Sequence, residues 1–407
     1  MKNKQRTFQT KVRVRALWLI AIIAIISIAV VSCDDSSDNG TTTTPTVPVD
    51  PLTYTVTFDS SGGTAVPQRT GVAGGTTITA PAAPTRPFTL TEPGLYFGEI
   101  PENYTFVEWR NGAAAWDFAS STVTADITLT AHWTSNRIES VAANDVAAAF
   151  TRLAAANPSG GTYDGKYTLA INQNVTLTAK TAHVNRVNRE LTIIGLGQER
   201  IITASVDGAF SFGAAVSTGD FSLTLGTNIT IKGVDGMTAY LIDMGSRGSL
   251  IMKEGSKITG FSTTAVDRYP VCVSGGGSFT MDGGEISGNT VNRGTSNNSA
   301  SAGVWISRGT FTMNGGTITG NTLTNGTSSS SWGAGGVSLG TGAYSDDPAK
   351  FVMNGGTITG NTRNDEAFDV HIPNPSSAST VVFEYNDGII DAILNKTGSI
   401  KALPETP

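Results

Sequence analysis

Residues 309–321 read Gly-Thr-Phe-Thr-Met-Asn-Gly-Gly-Thr-Ile-Thr-Gly-Asn, and nearly the same words stand at 277–289 and 350–361. On either side of the Gly-Gly pair, apolar residues alternate mainly with threonine, and this period of two predicts short strands with one face buried. Glycine permits the positive φ of a sharp corner, so the pair predicts a turn between the strands. The stretch is therefore one unit of a repeat.

A third strand precedes each copy, beginning at Val271, Val304 and Val337, so three strands make one coil. Weaker copies upstream and a last strand near the C-terminus extend the pattern to seven or eight coils. Stacked at the usual strand spacing, these coils would form a rod roughly 35 to 40 Å long. The chain is thus predicted to be mainly β.

These repeats resemble the right-handed parallel β-helix domains of bacterial envelope proteins, the pectate-lyase-like architecture, over residues 158–404. The resemblance implies that Asn289, Asn321 and Asn361, one from each copy, stack as an asparagine ladder at one turn. Phe261 occupies the equivalent position of the preceding copy, so we expect the ladder to stop there. We interpret the three asparagines as structural residues.

The N-terminus carries the pattern of a secretion signal. Residues 1–32 contain six basic residues and no acid, followed by an apolar run at 16–31. The run ends in Val-Val-Ser-Cys, which resembles the bacterial lipoprotein box and implies that Cys33 is lipidated. An uncleaved membrane anchor is the alternative, although the run is shorter than the about 20 residues of a span. Residues 33–52 are then a disordered tether.

Residues 53–134 form a separate domain in this interpretation. Its motifs, Tyr-Thr-Val-Thr-Phe from Tyr54 and Asp-Ile-Thr-Leu-Thr-Ala-His-Trp up to Trp133, are similar to the internalin-type B repeat, also called the Listeria-Bacteroides repeat. The resemblance implies a small β-grasp-like fold that serves as a spacer or interaction module in surface proteins. An insertion at 88–103 departs from the family pattern, and it is either a binding loop or a neutral addition.

Residues 135–157 are predicted to be a linker and a helix. Val146, Phe150 and Leu153 lie on one helical stripe, Asn144 is the expected N-cap, and an Asn-Pro pair ends the segment. The first coil of a β-helix exposes an unpaired strand edge and an apolar cross-section, which invite aggregation. We expect this helix to cap them.

Charge and residue spacing argue against several functions. The formal net charge is −6, and it becomes −12 when the signal and its six basic residues are removed, so nucleic acid is not an expected partner. Cys272 has no partner if Cys33 carries lipid, and we expect it to point outward from its strand. We find no carboxylate cluster on adjacent coils, no metal-spaced group of His or Cys and no phosphate loop, so neither catalysis nor a cofactor is predicted.

The sequence therefore predicts a monomeric cell-envelope protein, attached by lipid to the outer surface or the periplasmic face of a membrane, that acts as a non-catalytic adhesion or binding rod. The loops 290–302 and 322–335 leave successive coils at one corner, with Trp332 in one loop and Trp305 nearby. Such a surface suits glycans or host matrix, because aromatic faces stack on sugars. Alternatives are that Trp332 folds back on its own coil, that the β-helix is a polysaccharide lyase or hydrolase, or that the protein is purely structural.

Overall fold

A computed structural model describes residues 51–98, 104–134, 138–139, 143–154, 165–182, 189–212, 220–246, 248–294, 300–324, 333–340, 348–373, 381–395 and 400–401. Cys33 and Trp332 lie outside these residues. The chain divides into two compact units, Met1–Pro51 and Leu52–Pro407, and the elements below belong to the second.

The N-terminal domain, residues 53–134, contains a five-stranded sheet among the described residues. Its strands lie in the order β2 (Arg69–Ala73), β1 (Thr53–Asp59), β6 (Ile127–Thr134), β4 (Thr105–Asn111) and β5 (Ala114–Ala115). The first and last long strands pair in parallel, and the other pairs are antiparallel. Val56, Phe58, Trp109 and Leu129 fill its core, where the rings of Phe58 and Trp109 meet edge to face at 5.0 Å. The strands up to the end of this domain are β1 (Thr53–Asp59), β2 (Arg69–Ala73), β3 (Gly94–Phe97), β4 (Thr105–Asn111), β5 (Ala114–Ala115) and β6 (Ile127–Thr134).

The rest of the chain is a stack of short strands that follows β7 (Ile138–Glu139) and the helix α1 (Val146–Ala154). In chain order the strands are β8 (Lys166–Ile171), β9 (Val175–Leu177), β10 (Arg189–Gly195), β11 (Arg200–Ala204), β12 (Phe210–Phe212), β13 (Phe221–Leu225), β14 (Ile229–Lys232), β15 (Ile242–Met244), β16 (Gly248–Met252), β17 (Ser256–Thr259), β18 (Ser262–Thr263), β19 (Val271–Val273), β20 (Gly277–Met281), β21 (Glu285–Ser287), β22 (Thr290–Asn292), β23 (Val304–Ile306), β24 (Gly309–Met313), β25 (Thr317–Thr319), β26 (Thr322–Thr324), β27 (Val337–Leu339), β28 (Ala349–Met353), β29 (Thr357–Thr359), β30 (Thr362–Arg363), β31 (Glu366–Ala367), β32 (Val370–Ile372), β33 (Val381–Tyr385), β34 (Ile389–Ile390), β35 (Ile393–Asn395) and β36 (Ile400–Lys401).

Three long parallel sheets run along this stack, and each described coil between β10 and β35 contributes one strand to each sheet. The first sheet runs from β8 to β36, the second from β9 to β34 and the third from β12 to β35. The second sheet has eight strands, which matches the seven or eight predicted coils. The predicted mainly β fold, a parallel β-helix beside a small repeat domain, is therefore confirmed.

The repeated sequence motif places identical side chains above one another in the core. Phe279, Phe311, Phe351 and Phe383 occupy equivalent positions on neighbouring strands, with ring centroids 4.6, 4.9 and 5.1 Å apart. Methionines such as Met313 form a second buried column beside them. Because these side chains have no exposed surface or almost none, burial of the two columns holds successive coils in register.

A fourth, shorter sheet was not predicted. The corners expected to be loops at 290–302 and 322–335 begin as β22 and β26, which pair with each other and with β18 and β30. Val291 and Leu323 point inward from these strands and are buried, so the segments alternate in the same way as the predicted strands. Serine and asparagine around them hide this short pattern in the sequence.

The helix begins one residue later than the expected N-cap implies. Asp145, not Asn144, caps it, because the Asp145 carboxylate accepts a hydrogen bond of 2.8 Å from the backbone N–H of Ala148. Asn144 has a φ of +68°, and its side-chain oxygen instead accepts from the backbone N–H of Asn172 at 2.8 Å. The start of the helix is thereby attached to the first coil.

Two elements, not one, cover the beginning of the β-helix. The helix places Phe150 against Phe210 and Phe221, with ring centroids 5.8 and 5.9 Å apart, and so covers the apolar cross-section. The strand edge is covered by β3, which comes from the insertion in the N-terminal domain and pairs antiparallel with β8. Leu95 and Tyr96 of β3 are buried. The insertion thus has a structural role that the sequence did not indicate.

Candidate functional site

Trp305 does not present an open aromatic face. Its ring packs at 5.0 Å from Tyr269, which in turn stacks on Tyr240 at 5.8 Å. On its other side, a side chain at Gly340 would lie 2.8 Å from Cζ2 of the indole. The half-buried indole therefore extends a row of aromatic rings along the third sheet. Trp332 lies outside the described residues, so the proposed pairing of the two tryptophans stays a prediction.

Cys272 pairs in register with Asp243 and Trp305, on the outward side of its strand, but it is buried rather than exposed. Burial, with a smaller contribution from Asp243, raises the pKa of its thiol well above the ordinary value. The thiol therefore stays protonated at neutral pH, which makes it a poor nucleophile. Cys272 therefore lies on the outward side of its strand beside Trp305, as expected, but it is covered rather than exposed to solvent.

The three asparagines lie in one column inside the turn between the second and fourth sheets. Asn289 donates from its backbone and side-chain nitrogens to Oδ1 of Asn321 at 3.2 and 2.9 Å. Asn321 donates in the same way to Oδ1 of Asn361 at 3.2 and 2.8 Å. At the other end, the backbone N–H of Phe261 donates to Oδ1 of Asn289 at 3.0 Å. All three asparagines have no exposed surface, so the ladder is not a ligand site.

The residue that ends this buried ladder was not predicted. Asp369 accepts on Oδ1 from the backbone and side-chain nitrogens of Asn361, at 3.0 and 2.8 Å, and on Oδ2 from the backbone N–H of Ala392 at 2.9 Å. Burial raises the pKa of Asp369 despite these donors. Because it lies in a connection between strands and not at the repeat position, comparison of the copies does not find it.

A second ladder lies on the surface, at the turn between the first and second sheets. Asn386 donates to Asn354 at 2.7 Å, Asn354 to Asn314 at 2.8 Å, and Asn314 to Asp282 at 2.7 Å. Asp282 also accepts from Lys253 at 2.7 Å, and this bond, together with the one from Asn314, lowers the pKa of Asp282. This surface ladder borders the outer face of the second sheet.

A groove of about 460 Å³ lies on that outer face. Five neighbouring strands, β11, β14, β17, β21 and β25, and the turns before them form it. Three glutamates, one lysine, several hydroxyl groups and a set of glycines line it. These residues are Glu199, Thr230, Glu254, Gly255, Ser256, Lys257, Gly284, Glu285, Gly316, Thr317 and Thr319.

Glycines at the turns beside this face let neighbouring coils pack closely. Gly284 and Gly316 adopt φ values of +82° and +83°, which side chains rarely adopt. A Cβ at Gly316 would meet the buried Met281 side chain at 2.6 Å and the backbone oxygen of Gly284 in the preceding coil at 2.7 Å.

Charged groups in the groove are partly paired with each other. Lys257 Nζ lies 2.9 Å from Oε1 of Glu285, which also accepts a hydrogen bond from the hydroxyl of Ser287. These two donors, that of Ser287 first, lower the pKa of Glu285, so it is a carboxylate at neutral pH. Glu199 accepts a hydrogen bond from the hydroxyl of Thr230. Glu254, in contrast, makes no hydrogen bond or ion pair with any described residue.

Three glutamates line the groove, but the coil of β14 separates Glu199 from Glu254, so the expectation of no carboxylate cluster on adjacent coils stays a prediction. Glu199 and Glu254 lie in turns before β11 and β17, whereas Glu285 lies within β21. Comparison of equivalent repeat positions could not find them, because they occupy three different positions in their coils. No three described His, Cys, Asp or Glu residues are arranged to hold a metal ion.

Residues 54–87 and 100–132 match the family model of the Listeria-Bacteroides repeat domain. The break between the two matched segments contains β3, the strand that leaves this domain to pair with the β-helix. The repeat is surface-associated, so the match indicates a bacterial surface protein. No curated protein and no solved structure matches the chain. Within the described part of the chain, no helix has the length and apolar character to cross a membrane.

Proposed function

We propose that this chain is a lipid-anchored bacterial surface protein whose β-helix binds an extended glycan without transforming it. The groove on the second sheet is the observation that supports this proposal. It crosses five strands and so extends roughly 19 Å along the β-helix axis, which suits a chain of several sugar units. Its carboxylates, lysine and hydroxyls are the donors and acceptors that sugar hydroxyls need.

The anchor in this proposal is lipid on Cys33, and the polar residues 33–52 hold the folded unit away from the membrane. The lipoprotein-like Val-Val-Ser-Cys sequence and the match to a surface-associated repeat support it. Either the outer surface or the periplasmic face of a membrane would bring the groove into contact with envelope or host polysaccharides.

A carbohydrate-active enzyme is the second candidate, because three glutamates share the groove. Glycoside hydrolysis needs one protonated carboxyl group, which transfers its proton to the leaving oxygen. The lowered pKa of Glu285 makes it unsuitable for that role. Binding without catalysis therefore accounts better for the observed groups.

The test is to apply the full-length protein, purified in detergent, to a glycan array and to assay the bound polysaccharides for new reducing ends. We expect retention of at least one polysaccharide and no release of ends. Thr317→Val, which removes a hydroxyl group from the groove lining, should weaken retention, whereas Thr312→Val, which removes a hydroxyl group from the outer face of the first sheet, should not. Retention of no glycan, or equal effects of the two variants, would refute the proposal, and new reducing ends would favour the enzyme.

A further inference from the structure

The groove has a negative charge balance. Three glutamates face one lysine, and that lysine is already engaged by Glu285 at 2.9 Å. Glu199 and Glu254 therefore keep carboxylate charges that no cation of the groove lining compensates. The chain as a whole is also acidic, with a formal charge of −6, so an anionic polymer would be repelled over the whole approach to the groove.

Glu254 lies at the middle coil of the groove and has unused acceptors. Its Oε2 lies 2.9 Å from the position that a Cβ on Gly283 would occupy, so the absence of a side chain in the next coil makes room for this carboxylate. The side chain is exposed, and no described residue donates to it. A carboxylate accepts hydrogen bonds only, and its strongest partners are cationic donors such as an ammonium group.

The groups around Glu254 favour a sugar chain over a peptide. Thr317 and Thr319, on the C-terminal side of its coil, provide hydroxyl groups along the groove. The groove lies on the face of the second sheet, where the strands already pair on both sides. Strand addition, the commonest way to bind an extended peptide through its backbone, needs an open edge instead. No aromatic residue lines the groove, so charge and hydrogen bonds must provide selectivity.

We propose that the groove selects glycans that carry free amino groups, with an ammonium group of an amino sugar held by Glu254. This inference rests on the proposed glycan-binding function and specifies its ligand. The hydroxyls of Thr317 and Thr319 hydrogen-bond the neighbouring sugar units. Neutral sugar chains lack the charge-assisted bond, and acidic chains are repelled by Glu199 and Glu254.

The test uses the full-length protein in detergent and three oligosaccharide series of equal lengths: deacetylated chito-oligosaccharides, their fully acetylated counterparts and cello-oligosaccharides. Affinity is measured at a pH where the free amines are protonated. We expect the deacetylated series to bind most tightly and to lose affinity as salt is raised, because the groove is open to solvent and its charges are screened. If all three series bind equally, the amine selectivity is refuted while glycan binding stands. If no series binds, and the array retains no other glycan, the proposed function itself fails.

A matched pair of variants locates the ammonium site. Glu254→Gln should weaken binding of the deacetylated series about tenfold or more, the usual effect of losing a hydrogen bond between charged groups. Glu190→Gln removes the same charge from an exposed position on the outer face of the first sheet, and binding should be unchanged. Because Glu254 has no described partner, the variant should keep the wild-type melting temperature. Equal affinity of Glu254→Gln and wild type, or equally tight binding of oligolysine, would overturn the assignment.

Discussion

At the scale of single residues, the two amide ladders run in opposite directions along the β-helix, and each ends on a carboxylate. In the buried ladder the donors point toward the C-terminal coils and the last acceptor is Asp369. In the surface ladder they point toward the N-terminal coils and the last acceptor is Asp282. The last residue of each ladder accepts hydrogen bonds and has no further acceptor to which it could donate. Asp suits this position because its short side chain, a carboxylate, only accepts hydrogen bonds.

We therefore predict that Asp369→Asn destabilises the protein, although it removes a buried charge. With its oxygen toward Asn361, the new amide would turn its own N–H groups toward the backbone N–H of Ala392, leaving a buried donor unpaired. Such a group costs about 1 to 3 kcal/mol, which urea unfolding would measure.

Asp282→Asn is the matched control at the end of the surface ladder. Water can replace its lost bond to Lys253, because both side chains are exposed, so its effect should stay below about 1 kcal/mol. If Asp369→Asn were as stable as wild type, the ladder would not require a carboxylate at its end.

At the scale of strands, the inward and outward sides of the first sheet give a second prediction. Met313 has no exposed surface, whereas Thr312 is on the outer side of the same strand. Met313→Asp should lower the free energy of unfolding by at least about 3 kcal/mol, because it buries an unpaired charge. Thr312→Asp should lower it by less than about 1 kcal/mol. Similar losses in the two variants would contradict the observed alternation, and thermal or urea unfolding distinguishes the outcomes.

A third prediction concerns β3, the strand that covers the edge of β8. Leu95→Asp should detach it, because Leu95 is fully buried, and the exposed edge should then make the protein associate. Light scattering during mild heating would detect the association. Thr91→Asp changes an exposed residue shortly before the same strand and should behave as wild type. Absence of association in Leu95→Asp would mean that β3 is dispensable as a cover.

The strands that sequence could predict are those whose side chains repeat. Phe311, Met313 and Ile318 recur at fixed offsets, so both the strand positions and their buried faces follow from the pattern. The strand β3 was not predictable, because a single short segment inside an insertion has no copy to compare with. Its partner β8 lies about 70 residues further along the chain, and no local property of the segment reports that pairing.

At the scale of the whole molecule, the groove could not be predicted for a related reason. Stacking of coils brings together Glu199, Glu254 and Glu285, which come from turns and strands of different lengths. Their proximity depends on the exact residue at which each coil meets the next. This strand register depends on how side chains are buried along the entire stack. The upstream copies of the repeat are too weak to reveal the register from the sequence.

The fourth prediction concerns attachment of the chain to a membrane. Cys33→Ala should abolish incorporation of labelled fatty acid and move the protein from the detergent phase to the aqueous phase, since the cysteine is the proposed site of acylation. Cys272→Ala removes the other cysteine, which is buried, and labelling should continue. Unchanged labelling of Cys33→Ala would refute lipidation at this residue, whereas detergent partitioning of an unlabelled wild-type protein would favour an uncleaved anchor.

The buried asparagine ladder also determines how the β-helix can change in length during evolution. Asn321 donates to the coil after it and accepts from the coil before it, so a duplicated copy of its coil would find matching partners on both sides. Each such duplication would lengthen the rod by about 4.8 Å. Asp369 cannot be copied into the middle, because it accepts without passing a hydrogen bond on. Gene duplication can therefore extend the rod from its interior, while its two ends stay as they are.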